Sequence, residues 1–230
     1  MRIKAVIFDL FGTLIDTFSN AGYRENLEQM AKILGADVEK YTRRWNDIYE
    51  QRVLGYCHCP DECNEQICRF LKIKPGPEQF AQANKLRINF VRDTIVPRPG
   101  VIRTLNQIKA QGYKIGLLSD CTSEIPDVWR ETEFESVFDT TTFSSNEAAK
   151  KPMPRIYILT AERLDVDVTD CLYVGDGGSL ELTGAERIGM HPIRIRPDDE
   201  GDVFRPEADP WEGTTIREIP ELLQILSIEP

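Results

Sequence analysis

A chain of 230 residues with 41% hydrophobic and 29% charged residues can bury a core and carries no low-complexity tract, which excludes the disordered class. Its formal charge of −10 disfavours nucleic acid or an anionic membrane surface as a main partner, because clustered Lys and Arg hold phosphate backbones, but it leaves room for a small phosphorylated ligand. The first apolar run is only AVIF before Asp9, too short for a signal peptide or a membrane span, so the expectation is a cytoplasmic protein off the membrane, monomer or homodimer, with six free cysteines.

In chain order, KAVIFDL reads as a first strand buried on both faces. Residues 18–95 then show helical periodicity and no strand, in AGYRENLEQMAKILG, VEKYTRRWNDIYEQRVLG, CPDECNEQICRFLK and PEQFAQANKLRINFVRDTI. The run VPRPG, with Pro97, Pro99 and Gly100, punctuates the return. Beyond it, strands YKIGLLSD (113–120), CLYVGD (171–176) and HPIRIRP (191–197) alternate with helices at 100–112, 153–165 and 179–189, and EIPELLQILS closes the chain as a helix. This alternation predicts an α/β fold with a doubly wound parallel sheet, residues 1–17 and 96–230 forming the Rossmann-like core and 18–95 a smaller all-helical cap domain.

Loops at the carboxyl ends of such strands converge on one crevice, and Asp9, Ser119 and Asp176 all fall there. Lys151, ahead of a helix, can reach it. As a set they make a reaction centre: Asp9 attacks an electrophile, Ser119 and Lys151 hold its anionic oxygens, and Asp9 with Asp176 shares a divalent cation. Taken singly each has a plainer reading, Asp9 as a turn residue, Ser119 as a helix cap and Lys151 as a solvated lysine. What favours the set is the order of acid, hydroxyl, cation and acid along the chain.

The motifs FDLFGTL, GLLSD, KPMPRIY and YVGDGGSLELTGAERIGM resemble the four ordered motifs of the haloacid dehalogenase-like (HAD) superfamily, and a helical insert between the first two resembles the cap of its phosphatase and dehalogenase subgroup. The resemblance implies Asp9 as a nucleophile forming an aspartyl intermediate, Ser119 and Lys151 as anion holders, Thr13 and Asp120 beside the substrate, and Mg²⁺ on Asp9, the Phe11 carbonyl and Asp176. Glu181 stands where the pattern has Asp and is assigned to the metal directly or through water. The substrate implied is a small phosphorylated metabolite.

One departure pulls the other way. Most family phosphatases resemble DxDGT, whose second acid protonates the leaving oxygen, and Phe11 can do no such thing; help of that kind is worth about 10² to 10⁴ in rate. A non-acidic residue here resembles the dehalogenase branch, where halide leaves without a proton, yet that branch lacks the metal-holding acid that Asp176 supplies. A 2-haloacid dehalogenase and a weakly catalytic metabolite-binding protein therefore stand as alternatives. Phosphonatase-like cleavage would need a cap lysine, and none of Lys32, Lys40, Lys72, Lys74 and Lys85 sits in a recognisable setting.

Substrate selection is expected from the cap, with Tyr23, Arg24, Arg43, Arg44 and Arg52 as candidates for an anionic group and Trp45 as a wall. Cys57, Cys59, Cys63 and Cys68 with His58 lack paired C-x-x-C spacing, which favours free thiols over structural zinc. The acidic stretch PDDEGDVFRPEADPWEG reads as a solvated loop.

Overall fold

The computed structural model describes residues 3–198 and 207–228, so residues 199–206 of the acidic stretch lie outside the described residues. Six parallel strands, β1 (Ala5–Phe8), β2 (Lys114–Ser119), β3 (Thr140–Phe143), β4 (Cys171–Gly175), β5 (His191–Ile195) and β6 (Thr215–Ile216), form one sheet in the order β3-β2-β1-β4-β5-β6. The expected doubly wound architecture is present. β1 is central: Ala5 registers with Lys114 on one side and Cys171 on the other, and the strand order reverses there, which makes its end the switch point where such sheets open a crevice.

Period two explains how a four-residue strand buries both faces. Val6 and Phe8 enter an apolar layer with Leu105, Ile108, Ile125 and Leu222, whereas Ala5 and Ile7 enter the opposite layer with Ile156, Tyr157, Leu182 and Ala185. Two strands lie outside the apolar runs of the sequence, both at sheet edges. β3 is a run of three threonines and a phenylalanine, β-branched but too polar for an apolar-run criterion, and β6 is two residues long.

Five helices occupy the stretch after β1: α1 (Asn20–Ile33), α2 (Val38–Asp47), α3 (Tyr49–Val53), α4 (Pro60–Leu71) and α5 (Pro77–Thr94). Ser19 and Asp37 cap the first two through the backbone N–H groups of Gly22 and Lys40, and prolines open α4 and α5 where their missing N–H costs nothing. The run read as one helix over 38–55 divides at Ile48, next to Asn46 and Asp47, which are weak helix formers. Leu27, Met30, Tyr41, Trp45, Ile67 and Ala83 form an apolar cluster within this segment, joined by Cys57, Cys63 and Cys68; all six cysteines are free.

The rest of the chain adds α6 (Val101–Ala110), α7 (Glu124–Trp129), α8 (Ser144–Glu147), α9 (Pro154–Arg163), α10 (Glu181–Arg187) and α11 (Leu222–Ile228). The two connections of the helical segment run side by side: Ile15 bridges Pro97, the Arg98 N–H donates to the Leu14 carbonyl at 2.9 Å, and the Arg98 guanidinium donates to the Gly12 carbonyl at 2.8 Å. Across the crevice, Arg87 of α5 pairs with Glu124 of α7 at 2.8 Å, and Ser144 Oγ donates to the Val53 carbonyl at 2.8 Å. No described helix is long and apolar enough to cross a membrane.

Candidate active site

Asp9 directly follows β1, and its N–H donates to the Val174 carbonyl at 2.9 Å, so the central strand fixes its backbone. Both carboxylate oxygens are held: Thr13 Oγ1 donates to Oδ2 at 3.0 Å and Lys151 Nζ to Oδ1 at 2.6 Å. Gly12, at φ +77°, makes the turn that returns Thr13 to Asp9, and a Cβ there would lie 2.5 Å from Asp176 Oδ2. Only glycine allows this approach between the first loop and the acid after β4.

Lys151 is buried and also donates to Glu181 Oε2 at 2.7 Å. Glu181 accepts further from Tyr173 Oη at 2.8 Å and, through Oε1, from the Gly177 N–H at 2.9 Å. Both of its oxygens are thus engaged by protein donors. Asp176 Oδ1 accepts from the Gly178 N–H at 2.9 Å. Burial works to discharge Lys151, but Asp9 and Glu181 hold its ammonium well above the ordinary lysine value. Burial raises the Asp9 and Glu181 carboxyls, against the pull of Lys151 and with a push from Asp176 on each.

Asp9, Asp176 and Glu181 each offer an oxygen, all within 4.8 Å of one another. Three carboxyl groups crowd around one ammonium at a buried spot, and this set of hard oxygen donors fits a divalent cation such as Mg²⁺.

A cavity of about 630 Å³ opens over this cluster, lined from the sheet side by Asp9, Phe11, Asp120, Lys151, Asp176 and Glu181 and from the helical segment by Phe18, Tyr23, Asn46, Tyr49, Arg52 and Arg87. Its volume suits a small molecule. The Phe11 ring packs on Phe18, centroids 5.0 Å apart, and faces the cavity where an acid would stand. Asp120 follows β2 and accepts from the Lys151 N–H at 3.0 Å; burial raises its carboxyl against the opposing charge of Lys151.

Not every residue expected here reaches the cavity wall. Ser119 is fully buried, lies behind the lining, and its Oγ has no hydrogen-bond partner among the described residues. Thr13 is also fully buried and acts on Asp9 from behind. Arg24 does not belong to the lining: its side chain is 72% exposed on α1, 3.8 Å from Glu28, because its position turns to solvent while Leu27 and Met30 turn inward. Arg44 stacks on Phe70, 4.5 Å from the ring centroid. Trp45 lies under Arg52, 4.3 Å from the guanidinium.

Sequence reasoning missed Arg87, Glu124 and Tyr173. A signal was present for Arg87, which shares the buried stripe of α5 with Ala83, Asn84 and Val91, a place where a lone arginine needs a reason. Arg87 and Arg52 together hold the Glu124 carboxyl down to about 2, against the contrary effect of its burial.

The family model for haloacid dehalogenase-like hydrolases matches residues 3–189, and the chain belongs to that family of hydrolases. Among curated proteins, the chain is similar to a glyceraldehyde 3-phosphate phosphatase of Pyrococcus furiosus, 24% identical over 237 residues, covering 99% of this chain and 95% of the relative. Among solved structures, a 2-haloacid dehalogenase from Pseudomonas syringae pv. Tomato DC3000 superposes with a TM-score of 0.71 at 22% identity, covering 98% of each chain. A HAD family enzyme of Bacteroides thetaiotaomicron, solved in complex with magnesium and inorganic phosphate, gives 0.65 at 18% identity, covering 88% of this chain and 97% of that one.

Proposed function

We propose that this hydrolase is a Mg²⁺-dependent phosphatase acting on a small phosphorylated metabolite through an aspartyl-phosphate on Asp9. The observation that carries the reading is the convergence of Asp9, Asp176 and Glu181 on one buried spot as a set of hard oxygen donors, which halide displacement does not need. The phosphatase relative of Pyrococcus furiosus and the magnesium and phosphate complex of the Bacteroides enzyme support it.

Asp9 is oriented by Thr13 and Lys151 so that one oxygen can attack phosphorus as the ester P–O bond breaks and the alcohol departs. Lys151 neutralises charge on the transferring group and is kept in place by Glu181, which Tyr173 and Gly177 anchor in turn. Asp9, Asp176 and the Phe11 carbonyl would hold Mg²⁺, which offsets phosphoryl charge when bound; Glu181 would orient Lys151 beside it. The helical segment 18–95 acts as the cap that covers the cavity and keeps bulk solvent out. With Phe11 offering no proton, the leaving oxygen takes one from a water admitted to the cavity, a second water then attacks phosphorus to break the Asp9 acyl-phosphate and release inorganic phosphate, and turnover is slow for the family.

A panel of phosphate monoesters with Mg²⁺ tests this. Phosphate release, lost on chelation and in Asp9→Asn, is the expected result. Halide release from 2-haloacids with no ester turned over would establish the second reading, to which the Phe11 ring on the cavity wall lends its weight.

A further inference from the structure

The far wall of the cavity carries a feature that phosphoryl transfer does not use. Arg52 of α3 is 1% exposed and Arg87 of α5 is 2% exposed, and both line the cavity. A planar guanidinium offers five N–H donors, and a buried one is ordinarily paired with an anion. Glu124 is paired with Arg87 at 2.8 Å, and it supplies one negative charge against two positive ones. Among the described residues, the hydrogen bond of the Arg52 guanidinium is to the Tyr23 hydroxyl, at 3.4 Å, and its remaining contacts are with ring faces. Its Nε and Nη1, and Nη1 of Arg87, have no hydrogen-bond partner among the described residues. Leaving such donors unpaired is costly, so the arrangement is incomplete by one monoanion.

The two cations are also pre-set in place. Arg52 stacks 4.3 Å from the Trp45 ring, and Arg87 lies 5.4 Å from the Tyr23 ring. Neither arginine must be ordered when a ligand arrives, which lowers the entropic cost of binding.

We propose that Arg52 and Arg87 form a carboxylate subsite, and that the substrate is a phosphate monoester carrying a carboxylate at the end remote from the phosphoryl group. A carboxylate matches both the single missing charge and the fork of a guanidinium; a second phosphate would bring too much charge. The assignment rests on the phosphatase reading given above. It selects among three-carbon esters that differ only at the remote carbon: an acid is taken in preference to the corresponding aldehyde or alcohol.

The test compares 3-phosphoglycerate, glyceraldehyde 3-phosphate and glycerol 3-phosphate as substrates of the full-length enzyme with Mg²⁺. The expected kcat/KM for the acid exceeds that for the other two by roughly 100-fold, the scale of one buried charge-assisted contact. In Arg52→Met that ratio collapses towards one, and Arg52→Lys, which keeps the charge, retains part of it. A wild-type ratio near one, or a ratio preserved in Arg52→Met, overturns the subsite. If the wild type turns over no ester, the phosphatase reading fails, and the subsite is judged by titration calorimetry on the same protein. There, tighter binding of 3-phosphoglycerate than of glycerol 3-phosphate, lost in Arg52→Met, sustains it, and equal binding overturns it.

Discussion

Replacing Glu124 with Gln removes the one anion that faces Arg87 and Arg52 in the buried wall between helices and sheet. Its carboxyl sits at about 2 rather than the ordinary 4.5, a lowering that corresponds to about 3 kcal/mol, and Glu124 is buried enough that solvent screening does not erode it. Because the folded value lies below the unfolded one, this contribution is fully present above pH 4.5 and is lost as the pH falls towards 2. For a chain of this size, Glu124→Gln should lower Tm by about 6–12 °C at pH 7, and the gap should narrow in melts at pH 3. The exposed pair Arg92–Glu131, 2.7 Å apart, is the control: Glu131→Gln should leave Tm essentially unmoved. Circular dichroism melts at pH 7, 5 and 3 read both. A Tm for Glu124→Gln within about 2 °C of wild type, or a gap that does not shrink in acid, would refute the reasoning.

Three further outcomes are expected. Phe11→Asp places a proton donor on the cavity wall and should raise kcat on phosphate esters by about 10²-fold or more; an unchanged kcat would show that position 11 does not limit the rate. Tyr173→Phe removes the hydroxyl that anchors Glu181 and costs about 1 kcal/mol in urea unfolding, with a fall in kcat exceeding the change in KM; an unaltered kcat would remove Tyr173 from the orienting chain. Gly12→Ala drives a methyl to 2.5 Å from Asp176 Oδ2 at φ +77°, so it should destabilise by about 1–3 kcal/mol and raise the Mg²⁺ concentration needed for half-maximal turnover. Wild-type Mg²⁺ dependence in that variant would sever the first loop from the acid cluster.

Where the sequence was informative, the reason is local. Asp9, Asp176 and Lys151 could be read because each is a charged residue placed directly at the end of a buried run or ahead of a helix, and a parallel sheet sends such positions to one crevice. The central strands were legible for the same reason, since burial on both faces writes a continuous apolar run. β3 was not, because an edge strand with three threonines carries no such run. Arg24 and Arg52 looked alike as cap arginines, and only packing separates them: Arg24 projects to solvent, while Arg52 lies against Trp45. Glu124 and Arg87 are 37 positions apart on helices of different layers, and no local pattern joins them. Tyr173 was read as strand core, and its hydroxyl acquires a task only once Glu181 folds over β4.

The adjacency of the two chain crossings at Ile15 and Pro97 lets the helical segment leave and rejoin the sheet side at one place. All sheet pairing of β1 lies ahead of Asp9, and the pairing of Ile15 with Pro97 brings outgoing and incoming backbone within one hydrogen bond of each other. Sequence change inside the helical segment therefore leaves the strand register that carries Asp9 untouched, provided that Val91 and Ile95, which complete the core beneath the sheet, are kept.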